Sequence, residues 1–267
     1  MKKILLIILS IVTIILVVRF SGRHVYKWIS EQNYTYNSEL SNSIIYLHND
    51  LTLNFYELNS IKSLVEETII QVDSILPNNL PKVEVFISTG NNSAITIPEL
   101  NKITLFNSRD CYAPFCHEYI HAILGVHKEL WFSEGVATYL GQQIRSKNEI
   151  LKKFCDGDER YLINERNLES GSLRKNGYIS TNYTIDSIKE LMLNTKTFHD
   201  LTDKNKLDYY FFSASFCKYL FETIGEQEMI RTLLDIKESH NSIRKNFKAK
   251  KINLDSILNS WLIEYKE

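Results

Sequence analysis

The sequence has little glycine, proline and cysteine, and it lacks a net charge of either sign. Its 267 residues include 9 Gly, 4 Pro and 4 Cys, and 31 Lys+Arg against 32 Asp+Glu leave a net charge of −1. So few turn residues disfavour collagen-like repeats, long linkers and an all-β fold with many tight turns. The neutral balance disfavours a polybasic nucleic-acid-binding protein, so we expect no nucleic-acid partner. With 44% hydrophobic and 24% charged residues, the chain is typical of a folded, largely helical protein.

The four cysteines also exclude one kind of site. Cys111, Cys116, Cys155 and Cys217 have no paired C-x-x-C spacing, which disfavours a zinc site built from cysteines. Cys111 and Cys116 are spaced to form a disulfide in an exported domain, and they are equally typical of small buried residues. The sequence leaves their redox state open.

The neutral total conceals an asymmetry between the N-terminus and the rest of the chain. The first 30 residues contain five basic residues and no acidic one: Lys2, Lys3, Arg19, Arg23 and Lys27. Residues 31–267 contain the other 26 basic residues and all 32 acidic ones, so they carry a charge of about −6. The N-terminus is therefore a different kind of segment.

Residues 4–18 are uncharged and predict either a signal peptide or a membrane anchor. As a helix, residues 4–20 would be about 25 Å long, close to the roughly 30 Å hydrocarbon core of a bilayer. Arg19, Phe20 and Arg23 stand where a signal-peptide cleavage site needs small residues. The sequence therefore favours an uncleaved single-pass anchor with the following domain outside the cytoplasm, although basic residues on both flanks leave the orientation open.

The order of the predicted elements indicates an α+β fold, in which a small mixed sheet precedes a mainly helical part. Strands are predicted at residues 44–48, 51–56, 82–88, 95–97 and 102–106, and the first two are expected to form a hairpin at Asn49-Asp50. Helices are predicted at residues 58–76, 114–124, 133–145, 187–193, 209–223, 226–237 and 254–265. The domain organisation that follows is an anchor over 1–30, a tether over 31–43 and one folded domain over 44–267.

A polar stretch at residues 152–180 interrupts the helical part and predicts an extended excursion. Its acidic cluster, residues 156–159, lacks the regular ligand spacing of a calcium-binding loop, so a solvated turn is the better interpretation.

An H-E-x-x-H sequence begins at His117 and lies on the predicted helix 114–124. Pro114 suits the first helical turn, and Gly125 suits the left-handed position that ends a helix. His117 and His121 are one helical turn apart, so both imidazoles leave the same face and can bind one zinc ion. Glu118 is rotated by about 100° and can act on a water at the metal without being a ligand.

A hydrolytic zinc site needs a third protein ligand, and the residues offer two. His127 follows His121 by six residues, the spacing of H-E-x-x-H-x-x-G-x-x-H, but Leu124 stands where that pattern has glycine. Glu134 is the other candidate, because Ser133 can cap a second helix that presents Glu134 in its first turn.

The residues HEYIHAILG and LWFSEGVATYL, at 117–125 and 130–140, resemble the gluzincin metallopeptidases, the thermolysin and aminopeptidase group. They are most similar to short bacterial forms with the pattern H-E-h-x-H and W-h-x-E-G-h-A-x-Y, where h is hydrophobic. Residues 210–225 resemble the Y-x-x-x-x-S-F-x-x-Y-L-x-x-x-x-G helix of the same family. The resemblance covers about residues 44–240. It implies that Glu134 rather than His127 is the third zinc ligand.

The function implied by this resemblance is peptide-bond hydrolysis by a zinc-activated water. Glu118 is the expected general base, and Tyr210 the expected hydrogen-bond donor to the oxyanion, with His199 a weaker candidate for that donor. The strand at 102–106 is expected to be an exposed edge along which an extended peptide or protein substrate pairs.

Two other functions compete with this interpretation. One is a surface binding protein that keeps the fold without turnover, which the presence of Glu118 disfavours. The other is a zinc hydrolase with His127 as third ligand, and the absence of a convincing Met-turn disfavours it. The cleavage specificity and the oligomeric state have no signal in the sequence.

Overall fold

The computed structural model of the chain describes residues 34–37, 44–49, 55–76, 82–88, 94–106, 114–125, 129–148, 183–197 and 200–264. Several sequence predictions lie outside these residues, namely the anchor at 4–20, the excursion at 152–180, His127, His199, Cys111 and Cys155. Within the described ranges, no helix combines the length and the hydropathy that crossing a membrane requires. The N-terminal membrane helix therefore stays a prediction from the sequence.

Five strands form one mixed sheet: β1 (Tyr34–Asn37), β2 (Ile44–Asn49), β3 (Lys82–Ser88), β4 (Ala94–Ile97) and β5 (Lys102–Phe106). Their order across the sheet is β1-β2-β3-β5-β4. Strands β2, β3 and β5 run parallel, whereas β1 is antiparallel to β2 and β4 is antiparallel to β5. The predicted strands at 44–48, 82–88, 95–97 and 102–106 are thus confirmed.

Two features of the predicted sheet are wrong. The hairpin between 44–48 and 51–56 does not form, because β2 pairs with β1 and β3, and residues 55 and 56 belong to a helix. A short apolar run has too few residues for its periodicity to distinguish a strand from the first turn of a helix. The strand at 102–106 is not an edge, because β5 lies between β3 and β4. Strand β4 takes the edge position beside β5.

Strand β1 lies inside the range 31–43 that the sequence predicts to be a tether. Its residues Tyr34, Thr35 and Tyr36 are of types that favour strands, and their pairing with β2 extends the sheet by one strand. At least the four residues of β1 within the range 31–43 therefore belong to the sheet.

Eight α-helices occur within the described ranges: α1 (Phe55–Ile75), α2 (Pro114–Leu124), α3 (Leu130–Ser146), α4 (Ile185–Asn194), α5 (Asp203–Ile224), α6 (Glu226–Ser239), α7 (Ile243–Ala249) and α8 (Leu254–Glu264). Seven of them match the predicted helices, with ends that differ by a few residues. Helix α7 is the addition. It is seven residues long, capped by Ser242, whose hydroxyl accepts from the amide of Lys245, and it buries Ile243 and Phe247.

One face of the sheet is buried and holds the helices in place. Alternate residues of β3 and β5 point to this face and are at most 1% exposed: Val83, Val85, Ile87, Ile103 and Leu105. Helix α1 and the residue that follows it contribute apolar residues at helical spacing to the same core, namely Ile61, Val65, Ile69 and Val72 in the helix and Leu76 after it. Helix α2 contacts α1, β4, β5 and α3. It therefore lies between the sheet and the helical part, and the α+β fold class is confirmed.

Helices α3 and α5 form the main contact within the helical part. A glycine makes their close approach possible: a Cβ on Gly135 would collide with the backbone oxygen of Ser213 and lie 2.7 Å from Cys217 Sγ. Aromatic rings extend the contact outward, with Phe216 5.3 Å from Trp131 and 5.1 Å from Trp261 between ring centroids. Because Gly135 follows Glu134, this contact fixes the position of the candidate ligand Glu134 relative to α5.

Cys116 and Cys217 are buried free thiols. Burial raises the pKa of the Cys116 thiol to about 12, so this thiol is neutral at physiological pH. The interpretation of these cysteines as small core residues is supported, and Cys116 is not held in a disulfide.

Candidate metal centre

Helix α2 carries both histidines of the H-E-x-x-H sequence, as predicted. Pro114 opens the helix, and Gly125 ends it with a φ of +78° while its amide donates to the carbonyl of His121 at 2.8 Å. Four large side chains of the helix are buried in the core, namely Phe115, Tyr119, Ile120 and Ile123. The opposite side of the helix is thereby turned toward α3, and His117 and His121 lie on that side.

Helix α3 supplies the third candidate ligand, but not in the predicted way. The carbonyl of Glu129 accepts hydrogen bonds from the amides of Phe132 and Ser133, so the helix begins at Leu130, three residues before the predicted start. Trp131 and Phe132 are 3% and 0% exposed, and their burial favours the additional turn. The prediction that Ser133 caps the helix is therefore wrong, and Glu134 lies in the second turn.

Three ligand atoms converge between the two helices. His117 Nε2 lies 3.0 Å from His121 Nε2 and 3.1 Å from Glu134 Oε2, and His121 Nε2 lies 3.3 Å from Glu134 Oε2. A tetrahedral zinc ion 2.0–2.1 Å from each ligand would separate ligand atoms by about 3.3 Å. The three residues are therefore able to hold one metal ion. Two imidazoles and one carboxylate are also a donor set of catalytic zinc sites, which leave a fourth position open.

The charges at this site favour a cation. Burial alone would lower the pKa of His121, but the adjacent Glu134 carboxylate outweighs burial and raises it. Burial would raise the pKa of Glu134, and the two imidazoles, His121 foremost, outweigh it and lower that pKa. The carboxylate is 6% exposed and stays ionised. The negative charge of Glu134, which favours the protonated form of His121, would also attract a metal ion.

The Nδ1 atoms of both histidines face hydroxyl groups. Ser133 Oγ lies 3.2 Å from His121 Nδ1, and Thr138 Oγ1 lies 3.4 Å from His117 Nδ1. A hydroxyl that accepts from an Nδ1–H group leaves the Nε2 lone pair free for a metal. Both hydroxyls belong to α3, so this helix carries the candidate ligand Glu134 and also contacts the Nδ1 atoms of both histidines. No sequence pattern indicates this contact of Thr138 with His117.

Glu118 lies beside the three residues and is not one of them. Its Oε2 atom accepts a hydrogen bond from Thr96 Oγ1 at 2.5 Å, and its charge contributes to the raised pKa of His121. Thr96 belongs to β4, 22 residues before Glu118. Sequence reasoning missed this contact, because a threonine in a short strand has no pattern that connects it to a distant helix.

Two consecutive tyrosines of α5 face different sides of the site. The ring centroid of Tyr210 lies 6.0 Å from that of His117, and Tyr210 is half-buried. Tyr209 is fully buried, and burial, followed by the charge of Glu134, raises the pKa of its hydroxyl. The structure thus places the ring of Tyr210 beside His117, and it buries Tyr209 within the electrostatic range of Glu134.

Comparison with known proteins adds little to this geometry. No family model matches the chain, and no curated protein matches it. A structure of yeast LTA4 hydrolase in complex with bestatin is similar to it, with a TM-score of 0.46 and 16% sequence identity. The similarity covers 86% of this chain and 39% of the other, so the chain spans well under half the length of that protein. The properties of the site therefore rest on the residues of this chain.

Proposed function

We propose that the chain is a zinc-dependent metallopeptidase whose metal ion is held by His117, His121 and Glu134. The observation that carries the proposal is the convergence of one atom from each residue, at separations of 3.0–3.3 Å. The resemblance of residues 117–125 and 130–140 to gluzincins supports the same set. His127 is unnecessary as a ligand, because three protein ligands and one open position complete a catalytic zinc site.

The chemistry of the site would be hydrolysis of a peptide bond. Zinc bound in such a site supplies Lewis acidity, which activates a water and polarises a carbonyl group. Glu118, held beside the ligands, accepts the proton of the attacking water and then delivers it to the leaving amine. The hydroxyl of Tyr210 donates a hydrogen bond to the oxygen that becomes negative in the transition state.

The sheet offers a place for an extended substrate. Strand β4 is at the edge of the sheet among the described strands, and its Thr96 contacts Glu118. An extended peptide that adds to this edge would lie close to the general base. Strand β4 replaces β5 in this role, because β5 is interior.

We further propose that residues 4–20 anchor the protein in a membrane, with the catalytic domain outside the cytoplasm. The support is the uncharged run at residues 4–18 together with the basic residues that flank it. The substrate would then be an extracytoplasmic peptide or protein.

The test uses the full chain purified in detergent. Zinc is measured by elemental analysis, and cleavage of a peptide library is followed with and without a chelator. We expect about one zinc ion per chain, chelator-sensitive cleavage, loss of cleavage with retained zinc in Glu118→Gln, and loss of both in Glu134→Ala. Glu190→Gln, on the exposed face of α4, controls for the removal of a surface charge.

Each competing function has its own result in this experiment. Bound zinc without any cleavage by the wild type would indicate a binding protein. Stoichiometric zinc in Glu134→Ala, together with zinc loss in His127→Ala, would assign the third ligand to His127.

A further inference from the structure

We propose that Thr96 is a positioning residue that holds the general base Glu118 in its reactive orientation. The inference rests on the proposed function and extends it to a residue outside the H-E-x-x-H and W-F-S-E-G segments. Its basis is the hydrogen bond between Thr96 Oγ1 and Glu118 Oε2, at 2.5 Å, between the edge strand β4 and helix α2.

The sheet register explains why the threonine hydroxyl reaches α2. Thr96 lies directly opposite Ile103 of β5, and residues opposite each other in an antiparallel pair share one face of the sheet. Ile103 is fully buried, so this is the face that α1 and α2 cover. The next residue, Ile97, points to the other face and is 40% exposed. A shift of β4 by one residue would therefore remove the hydroxyl from Glu118.

The hydroxyl has one proton and two acceptors on Glu118. The carboxylate oxygen Oε2 is at 2.5 Å and the backbone oxygen is at 3.0 Å. The backbone oxygen lies inside α2, where a helical amide already bonds to it. A carboxylate is the stronger acceptor, so the proton of Thr96 points to Oε2.

This hydrogen bond leaves the other carboxylate oxygen, Oε1, available for the proton of the attacking water. Glutamate has three rotatable side-chain bonds, and an unrestrained carboxylate would sample orientations that cannot accept this proton. Thr96 restrains it from the strand along which the substrate is proposed to lie. Because Thr96 contacts none of the three ligand atoms, its effect is expected on turnover and not on metal binding.

The test compares Thr96→Val, which keeps the shape and removes the hydroxyl, with Thr96→Ser, which keeps the hydroxyl. Thr104→Val is the matched control, since Thr104 lies on β5 opposite Ile95, on the other face of the sheet. The full chain in detergent is assayed with a quenched fluorescent peptide chosen from those that the wild type cleaves. The readouts are kcat, KM, zinc content and melting temperature.

We expect Thr96→Val to lower kcat by about 10- to 100-fold, as the loss of a hydrogen bond to a charged group does. The KM and the zinc content should stay at wild-type values. Thr96→Ser should restore most of kcat, and Thr104→Val should leave it unchanged. A purely structural role would instead lower the melting temperature or the zinc content.

Wild-type kcat in Thr96→Val would contradict the role of Thr96 and leave the proposed peptidase intact. So would a Thr96→Ser variant as slow as Thr96→Val, or loss of zinc in Thr96→Val. If Thr96→Val does not fold, Thr96→Ala and Thr96→Cys take its place, and unfolding of all three contradicts positioning in favour of a structural role. A wild type that cleaves no peptide contradicts the proposed function itself, and the role of Thr96 with it.

Discussion

Two glycines of helix α3 are predicted to respond in opposite ways to the same substitution. A Cβ on Gly135 would collide with the backbone oxygen of Ser213 in α5. At Gly141 the nearest atom to a Cβ would be the backbone nitrogen of His117, at 3.7 Å, which is an ordinary contact. Gly135→Ala should therefore destabilise the protein, and Gly141→Ala should not.

The magnitude follows from two opposing effects. Alanine is favoured over glycine inside a helix by about 1 kcal/mol at both positions. Overpacking costs about 1–3 kcal/mol, and at Gly135 the obstacle is backbone, which cannot rotate away, so the upper end applies. We expect Gly135→Ala to lower the free energy of unfolding by about 1–2 kcal/mol and Gly141→Ala to raise it by about 0.5–1 kcal/mol.

The assay is urea unfolding of the full chain followed by circular dichroism, with the melting temperature as a second measure. A change of 1 kcal/mol corresponds to about 2–4 °C in a domain of this size. Because Glu134 precedes Gly135, the same variant should also bind zinc more weakly. A Gly135→Ala protein as stable as Gly141→Ala would refute the close approach of α3 and α5.

Three further predictions concern single contacts. Ser133→Ala removes the hydroxyl 3.2 Å from His121 Nδ1 and should weaken zinc binding by about 10- to 100-fold, measured by competition with a chelator. A zinc affinity equal to that of the wild type would show that Ser133 does not orient His121. Tyr119→Phe removes a 3.0 Å hydrogen bond to the buried Asp73 and should cost about 1–2 kcal/mol in urea unfolding, and an unchanged midpoint would contradict that contact. Lys250→Met removes the ion pairs of Lys250 with Glu228 and Asp235, and the hydrogen bond and charge of the first pair lower the pKa of Glu228. The stabilisation that the pair with Glu228 provides should be present at neutral pH and lost as the pH falls through the lowered pKa of Glu228. The difference in free energy of unfolding between wild type and Lys250→Met should therefore shrink on acidification, and a difference that grows would contradict the prediction.

The two candidate histidine ligands could be predicted because their signals are local. The four-residue spacing of His117 and His121, with Pro114 and Gly125 at the ends, specifies a helix and a shared face without knowledge of any partner element. Glu134 was predicted from a resemblance, and the structure places its carboxylate within 3.3 Å of both imidazoles. The reason offered for its position, a cap at Ser133, was wrong because buried aromatic residues extend α3.

The order of the strands could not be predicted, because it depends on contacts between distant parts of the chain. Strand β5 follows β4 in sequence but lies inside the sheet, next to β3. The contact of Thr96 with Glu118 depends on that order, since β4 contacts α2 from its edge position beside β5. Thr138 was missed for a related reason. Its hydroxyl contacts His117 on another helix, and a contact between two helices leaves no pattern in the local sequence.

The coordination of the proposed zinc ion is the most direct test of the ligand set. X-ray absorption at the zinc edge of the purified full chain counts the imidazole ligands by their scattering and measures the distances to the ligand atoms. A centre built from His117, His121 and Glu134 should show two imidazoles and one carboxylate, with nitrogen and oxygen atoms at about 2.0–2.1 Å and no sulfur. Three imidazoles, or any thiolate ligand, would contradict a centre built from His117, His121 and Glu134.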